Sequence, residues 1–467
     1  MFRQGRRTAR LLGSPRLQSR SYSAKAASTG RVLPYALAGF SLGVGATLAL
    51  AQAVPRVEAG ASLEAIAVAS PVKVLSLQEA NEKLHEGKAT FTFGGKDGAR
   101  GRVDVVRVAS NTPVEDEWAV GVGKGVGGGE TLFAGVYDGH AGWATSAVLK
   151  DALIRYVSTS LGQLSPSADD ETVVKTIETA FTELDTRIMA TAQKAAESYS
   201  HGAPEAIAAL APAIAGSCAL LAVYDPARSI LRTAVTGDSR AVLGSWSAAE
   251  GKFSAEKLSE DQTGFNAAEV ARLEAEHPGE KDDILSATSG RLLGLAVTRA
   301  FGDHRWKWTR EAIEAARGRF WAWGPRPQSR TPPYLTARPE VTTRRVQTGD
   351  FAILASDGLW DVMTNEDAVA CVERWVAARR AGRPEAVAAE ACASSGFSVD
   401  GEGYSSYKSR PEAFAIEDLD NAAVCLARNA FGGRRRDMFR GIMTAYSPVS
   451  RYVRDDVTVQ VIFFTEP

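Results

Sequence analysis

Three apolar runs with aspartates at their ends constrain the fold of this 467-residue chain more than any other feature. The runs and their aspartates are 132–137 followed by Asp138, 351–355 followed closely by Asp357, and 457–464 preceded by Asp455 and Asp456. Each run predicts a buried β-strand. A carboxylate at the end of a buried strand is costly unless it is paired or binds a cation. The sequence therefore predicts one oxygen-lined metal site that is assembled from distant parts of the chain.

The composition is that of an ordinary globular protein. Hydrophobic residues make up 45% of the chain and the net charge is −1, which suits one large domain or two smaller ones. A net charge near zero gives no general basic surface for nucleic acid, so we expect no nucleic-acid partner. The four cysteines are widely spaced and form no CxxC pair, which disfavours a disulfide framework or a zinc site and favours a reducing compartment.

The N-terminal segments are typical of a mitochondrial protein. Residues 1–31 are rich in Arg and Ser and contain no acidic residue, which predicts a presequence; a disordered basic tail is the alternative. Residues 32–54 carry no charge and are long enough to cross a bilayer, which predicts an inner-membrane anchor; a cleaved part of the targeting signal is the alternative. An anchor would place the following domain in the intermembrane space, whereas cleavage would allow it to lie in the matrix.

The rest of the chain predicts a linker over 55–99 and one domain over 100–467, with insertions near 304–340 and 380–440. Predicted strands cover 103–108, 118–122, 217–224, 231–236, 241–245, 351–355 and 457–464, and predicted helices cover 141–162, 170–198, 265–276, 365–380 and 419–428. Strands and helices do not strictly alternate, which favours an α+β fold. The glycine-rich run 121–129 contains GxGxxG, but a strand follows it, so a hairpin loop is expected rather than a dinucleotide site.

The acidic residues favour chemistry with a hard divalent cation. The candidates are Glu115, Asp116, Asp138, Asp238, Asp357, Asp361, Asp455 and Asp456. Mg²⁺ and Mn²⁺ prefer such oxygen ligands. None of the five histidines is in HxxxH spacing, and the chain has no GxSxG, no Walker A motif and no cysteine followed by arginine six positions later. The remaining chemistry is water activated by a pair of metal ions.

The acidic motifs, taken together, resemble those of the metal-dependent protein phosphatases of the PP2C family, in the same order. They are Glu115-Asp116, Asp138-Gly139-His140-Ala141-Gly142, Gly216-Ser217-Cys218-Ala219, Gly237-Asp238-Ser239-Arg240-Ala241, Thr298-Arg299-Ala300-Phe301-Gly302-Asp303, Ser356-Asp357-Gly358-Leu359-Trp360-Asp361 and Arg454-Asp455-Asp456-Val457-Thr458. A narrower resemblance is to the mitochondrial pyruvate dehydrogenase phosphatase branch. It is carried by Asn111-Thr112-Pro113-Val114, Arg291-Leu292-Leu293-Gly294-Leu295, Pro332–Glu340 and Asn421-Ala422-Ala423.

The resemblance implies a sandwich of two antiparallel sheets flanked by antiparallel helices, in α-β-β-α layers, and a site for two Mg²⁺ or Mn²⁺ ions. It implies that Asp138 bridges the two ions, that the Gly139 carbonyl, Asp357, Asp455, Glu115 and Asp116 complete their shells, that Asp238 and Asp361 hold a weaker third ion, and that His140 is a general acid. Three structural alternatives remain open: Asp238 as a turn residue, Asp361 as a helix cap, and His140 as a buried hydrogen-bonding residue.

The sequence departs from the family pattern at the phosphate-binding position. Many members have an arginine four residues before the counterpart of Glu115, whereas this chain has Asn111, as the pyruvate dehydrogenase phosphatase branch does. Asn111 and Arg107 are therefore the candidates for phosphate binding. Cys218 stands where Thr is usual, which predicts a core substitution rather than redox chemistry.

The resemblance implies a protein serine/threonine phosphatase whose substrate is a phosphoprotein, with the E1 component of pyruvate dehydrogenase favoured. The proposed mechanism is in-line attack by a metal-activated water. Two rival hypotheses remain: a mitochondrial phosphatase for other phosphoproteins, and a catalytically inactive scaffold of the same fold.

Overall fold

Two antiparallel sheets form the centre of the computed structural model, which describes residues 70–94, 100–386, 398–399 and 405–467. These residues belong to one compact unit, Ala69–Pro467. The predicted presequence at 1–31 and the predicted membrane segment at 32–54 lie outside the described residues. Among the helices of the described ranges, none is both long enough and apolar enough to cross a bilayer.

Sixteen strands are present in the described ranges. They are β1 (Ala89–Gly94), β2 (Arg100–Val108), β3 (Glu117–Lys124), β4 (Glu130–Tyr137), β5 (Gly139–His140), β6 (Gly216–Ser217), β7 (Ala219–Asp225), β8 (Ile230–Thr236), β9 (Arg240–Ser247), β10 (Lys252–Lys257), β11 (Phe301–Gly302), β12 (Glu340–Arg345), β13 (Phe351–Ala355), β14 (Ser398–Val399), β15 (Ser405–Ser406) and β16 (Val457–Phe463). One large sheet has the order β1-β2-β16-β13-β9-β10, and the other has the order β12-β8-β7-β4-β3.

Thirteen α-helices are present in the described ranges, and the longer ones pack against the two large sheets. They are α1 (Leu77–His85), α2 (Ala144–Leu161), α3 (Asp170–Ser198), α4 (Pro204–Ile214), α5 (Ala267–Glu276), α6 (Lys281–Ile284), α7 (His304–Lys307), α8 (Arg310–Phe320), α9 (Asp357–Trp360), α10 (Asn365–Arg380), α11 (Ala422–Ala430), α12 (Arg436–Thr444) and α13 (Ser450–Val453). One apolar cluster joins the six-stranded sheet to α1, α10, α11 and α12, and another joins the five-stranded sheet to α2, α3, α4 and α8. The predicted α+β sandwich is therefore confirmed.

The strand β13 shows why the run 351–355 is uniformly apolar. Successive side chains of a strand point to opposite faces. Phe351 and Ile353 pack beneath the helices, whereas Ala352 and Leu354 face the other sheet. Both faces are therefore removed from water, and the sequence shows a continuous apolar run instead of the alternation of a half-exposed strand.

The antiparallel register brings the predicted acidic residues to one edge of the sandwich. In the six-stranded sheet, Ala355 at the end of β13 pairs with Arg240 at the start of β9 and with Val459 near the start of β16. In the five-stranded sheet, Tyr137 at the end of β4 pairs with Glu117 at the start of β3. Residues just beyond these strand ends therefore meet at a single edge, as the apolar runs predicted.

The predicted linker over 55–99 is wrong in the part that the structure describes. Helix α1 and strand β1 lie within it, and β1 pairs with β2 along its whole length. The ring of Phe93 packs so closely over Gly101 that a Cβ atom at Gly101 would lie 2.1 Å from it. The alternating Thr-Phe-Thr-Phe of β1 was the available signal for a strand.

The two predicted insertions also contribute to the core. Trp308, Ile313 and Phe320, from the range 304–340, are buried in the cluster beneath α3. Helix α11, from the range 380–440, is buried along its whole length against the six-stranded sheet. Trp321 and Trp323 in the middle of the range 304–340 are exposed, whereas Tyr334 and Leu335 further along are buried again.

A buried ion network joins α5 to the segment just before β11. Glu269 accepts from Arg299 Nη2 at 2.6 Å, Arg272 Nη2 at 2.9 Å and Thr298 Oγ1 at 2.7 Å. Burial opposes ionisation of Glu269, but the two guanidinium groups outweigh it and lower its pKa from the ordinary 4.5 to about 2. Its contribution to stability is therefore complete above pH ~4.5 and is lost as the pH falls towards 2.

We predict that Glu269→Gln lowers the free energy of unfolding by about 2 kcal/mol, because it removes the charged acceptor that Arg299 and Arg272 share and leaves them only Glu340 and Glu276 as counter-charges. Stability of the variant should also depend less on pH between 4.5 and 2. Denaturant unfolding at several pH values measures both effects. Glu274→Gln, the same change at an exposed position of α5, is the control, and an equal effect of the two variants would contradict the prediction.

Candidate metal centre

Three aspartates from three strand ends meet at the shared edge of the two sheets. Asp138 follows β4, Asp238 lies between β8 and β9, and Asp357 begins α9 directly after β13 and Ser356. Each offers a carboxylate oxygen, and these oxygens lie within 4.8 Å of one another. Asp138 Oδ2 is buried and has no hydrogen-bond partner among the described residues. Oxygen ligands in this arrangement fit a hard divalent cation such as Mg²⁺ or Mn²⁺.

Repulsion between neighbouring carboxylates and burial dominate the electrostatics of this cluster, although the charge of His140 acts in the opposite direction on Asp238. Burial raises the pKa of Asp138 well above its usual range, and Asp116 and Asp357 raise it further. Burial and the charges of Asp238 and Asp455 do the same to the pKa of Asp357. A raised pKa means that the ionised form is disfavoured, so a bound cation would be needed to keep these carboxylates ionised together at neutral pH.

Asp116 lies beneath the cluster and is held by hydrogen bonds. Ser356 Oγ donates to Asp116 Oδ2 at 2.8 Å and accepts from the Thr458 N–H at 2.9 Å. Burial, followed by the charge of Asp456, raises the pKa of Asp116 to about 8. This network joins the end of β13, β16 and the start of β3 through the side chains of Ser356 and Asp116 and the backbone N–H of Thr458.

The two neighbouring aspartates before β16 have different surroundings. Asp456 is buried and accepts from Ser110 Oγ at 2.8 Å and from the Glu115 N–H at 2.8 Å, so it fixes the loop before β3. Asp455 is exposed and lies close enough to the cluster to raise the pKa of Asp357. Both carboxylate oxygens of Asp456 accept hydrogen bonds from the protein. Asp455 therefore stays the predicted metal ligand of the two.

His140 and Asp303 form a pair beside the cluster. Asp303 Oδ2 lies 2.7 Å from His140 Nε2, and Asp303 is 1% exposed. Burial opposes the charged imidazole, but the charge and hydrogen bond of Asp303 outweigh it and raise the pKa of His140. Asp303 belongs to the motif Thr298–Asp303, but its role was not predicted from the sequence.

Comparisons with known proteins agree with this geometry. The family model "Protein phosphatase 2C" matches residues 127–395. A protein phosphatase 2C homologue of Schizosaccharomyces pombe is 37% identical over 402 residues, which cover 82% of this chain and 84% of the homologue. The chain belongs to the protein phosphatase 2C family.

Relatives within this family include proteins named for one substrate. The mitochondrial pyruvate dehydrogenase (acetyl-transferring) phosphatase 1 of Saccharomyces cerevisiae is 34% identical, and the match covers 84% of this chain and 73% of that protein. The human mitochondrial protein of the same name is 29% identical, with 85% of this chain and 83% of that protein covered.

The other predicted site residues of this phosphatase lie around the three aspartates. Gly139 packs against the Glu115 carbonyl so closely that a Cβ atom would lie 2.3 Å from that oxygen, which brings β5 against the start of β3. Asp361 follows α9, and its N–H donates to the Asp357 carbonyl at 2.8 Å. Burial and the charges of Asp455 and Asp238 raise its pKa to about 6. The alternative that Asp361 caps α10 is wrong, because Thr364 Oγ1 caps that helix.

The two predicted phosphate-binding residues have other partners. Arg107 Nη1 lies 2.6 Å from Glu117 Oε2 and donates to the Asp116 carbonyl, so it supports the start of β3. Asn111 Oδ1 accepts from Ser447 Oγ at 3.0 Å. Sequence analysis missed Arg451, whose Nη1 lies 2.6 Å from Glu115 Oε2. Its position four residues before Asp455 was the available signal, and it places a guanidinium beside the predicted ligand Glu115.

We predict that Asp138→Asn abolishes Mn²⁺ binding and, in EDTA, raises the melting temperature by about 2 °C. Neutralising this carboxylate removes repulsion from a crowded cluster, and its Oδ2 has no hydrogen bond to lose. Calorimetric titration with Mn²⁺ and thermal melting measure the two effects. Asp437→Asn, the same change at a surface position, is the control. Unchanged Mn²⁺ affinity in Asp138→Asn would contradict the assignment.

Proposed function

We propose that this chain is a Mg²⁺- or Mn²⁺-dependent protein serine/threonine phosphatase that acts on the E1 component of pyruvate dehydrogenase in mitochondria. One observation supports the chemistry most strongly. Three carboxylates from three strand ends converge within 4.8 Å, one of their buried oxygens has no protein partner in the described chain, and a His–Asp pair lies beside them. Membership of a phosphatase family supports the reaction class.

Different residues of the chain would bind the metal ions and donate the proton. Asp138, the Gly139 carbonyl, Asp357, Asp455, Glu115 and Asp116 would hold two ions, and Asp238 and Asp361 would hold a weaker third. When bound, the ions would supply a water activated at neutral pH and would neutralise charge on the phosphoryl oxygens. Asp303 raises the pKa of His140, which favours the protonated imidazole, and Asp303 engages Nε2. His140 can therefore donate the proton of Nδ1 to the departing serine oxygen.

We predict that His140→Gln lowers kcat for a phosphoserine peptide about 10²-fold or more and lowers kcat for p-nitrophenyl phosphate much less. A serine alkoxide needs a proton in order to leave, whereas p-nitrophenolate leaves without one. Steady-state kinetics with both substrates in Mn²⁺ gives the ratio of the two losses. His201→Gln, at an exposed position, is the control. Equal losses with both substrates would show that His140 acts structurally.

The substrate assignment is supported by the names of the Saccharomyces cerevisiae and human relatives and by the presequence predicted at 1–31. If 32–54 anchors the chain in the inner membrane, the domain would meet other phosphoproteins, which is the second candidate function. An inactive scaffold is less favoured because the complete set of predicted acidic ligands is retained.

We predict that the purified full chain releases phosphate from phosphorylated E1 in Mg²⁺ or Mn²⁺ and loses this activity in EDTA. An unrelated phosphoserine peptide tests specificity, and Asp138→Asn tests whether the activity belongs to this site. Preference for E1 would support the substrate assignment. Equal rates with E1 and with the unrelated peptide would support a protein phosphatase but contradict the E1 assignment. No phosphate release with either metal would favour the inactive scaffold.

A further inference from the structure

Two arginines lie together on tryptophan rings at the 304–326 segment. The guanidinium carbon of Arg326 lies 4.6 Å from the centroid of the Trp306 ring, and that of Arg305 lies 5.8 Å from the Trp306 and Trp323 rings. Burial lowers the pKa of Arg305, and the nearby charge of Arg326 lowers it further, so the two cations are close neighbours. Stacking on aromatic rings fixes both side chains in place.

Neither arginine has a carboxylate partner among the described residues. Arg305 Nε donates to the Gly324 carbonyl at 2.7 Å, and Arg326 Nε is buried without a hydrogen-bond partner in those same ranges. Two other cations of this segment are paired: Lys307 with Asp185 at 2.7 Å and Arg330 with Asp283 at 2.6 Å. Two like charges held together with no carboxylate in ion-pair contact repel each other, so an anion from outside the chain would stabilise the pair.

This pair lies on the His140 side of the metal centre. The backbone N–H of Trp306 donates to the Asp303 carbonyl at 2.9 Å, and the Asp303 carboxylate pairs with His140. Asp303 is also close enough for its charge to act on Arg326. Trp323, whose ring lies against Arg305, is exposed to solvent. A peptide with its phosphoserine at the metal centre would therefore place neighbouring residues over the two arginines.

We infer that Arg305 and Arg326, held by Trp306 and Trp323, form a substrate subsite for an aspartate or glutamate side chain near the phosphoserine. The planar guanidinium groups match the two oxygens of a carboxylate. A second phosphate has related oxyanion chemistry, but a carboxylate is the anion that a substrate carries without a further modification. This inference depends on the proposed phosphatase function.

The test compares peptides on the full chain in Mn²⁺. One series carries a single Glu at successive positions around the phosphoserine, a matched series carries Gln, and a third carries a second phosphoserine. We expect kcat/KM for the best Glu peptide to exceed that of its Gln match about 10-fold, which corresponds to about 1.4 kcal/mol. Arg326→Gln and Arg305→Gln should each bring this ratio close to one, whereas Arg330→Gln should retain it.

Turnover of p-nitrophenyl phosphate reports the metal centre without this subsite, and thermal melting of each variant reports folding. No hydrolysis of any substrate in Mn²⁺ would overturn the proposed phosphatase function itself. Hydrolysis without a Glu preference, or a preference that persists in folded Arg326→Gln and Arg305→Gln, would overturn the subsite alone. A stronger preference for the doubly phosphorylated peptide, lost in the two variants, would overturn the carboxylate assignment in favour of phosphate.

Discussion

The repulsion among carboxylates at the shared edge of two sheets is the constraint on which the rest of this structure depends. Asp138, Asp238 and Asp357 bring oxygens within 4.8 Å of one another, where burial strengthens every electrostatic interaction. No side chain in the described chain neutralises Asp138 Oδ2. The fold must therefore hold these groups together against a force that would separate them, and a rigid sandwich with strands buried on both faces is suited to that task.

The rigid support is visible in residues that would not themselves hold a metal. Ser356 joins Asp116 to the backbone of Thr458, and Asp456 joins the loop before β3 to the start of β16. Their hydrogen bonds connect strands from both sheets. Removing one of these partners would leave a buried polar group unsatisfied, so the network specifies one arrangement of the strand ends rather than several.

The sequence revealed features that depend on local pattern. The apolar runs predicted the central strands, and the helix predicted over 170–198 has the bounds of α3. The meeting of the strand-end aspartates followed from antiparallel pairing. By contrast, α11 lay in a range predicted as an insertion, because its burial depends on a sheet whose nearest strands are far away in the chain. Its Arg428 is buried over the ring of Phe439, at 3.8 Å from the centroid, a contact that no local pattern indicates.

Asp303 shows why the site was harder to predict than the fold. Its partner His140 is 163 residues away, and its backbone has a left-handed conformation with φ 58°. That conformation costs about 1–3 kcal/mol for a residue other than glycine. It is stabilised by hydrogen bonds from the Asp303 N–H to the Ala215 carbonyl and from the Trp306 N–H to the Asp303 carbonyl, both 2.9 Å long.

Asp303 therefore positions two parts of the structure. Its carboxylate orients His140, while its backbone begins α7, the short helix that carries Arg305 and Trp306. Both groups therefore depend on one residue whose backbone is held by two hydrogen bonds, and a change at Asp303 would disturb the orientation of His140 and the start of α7 together.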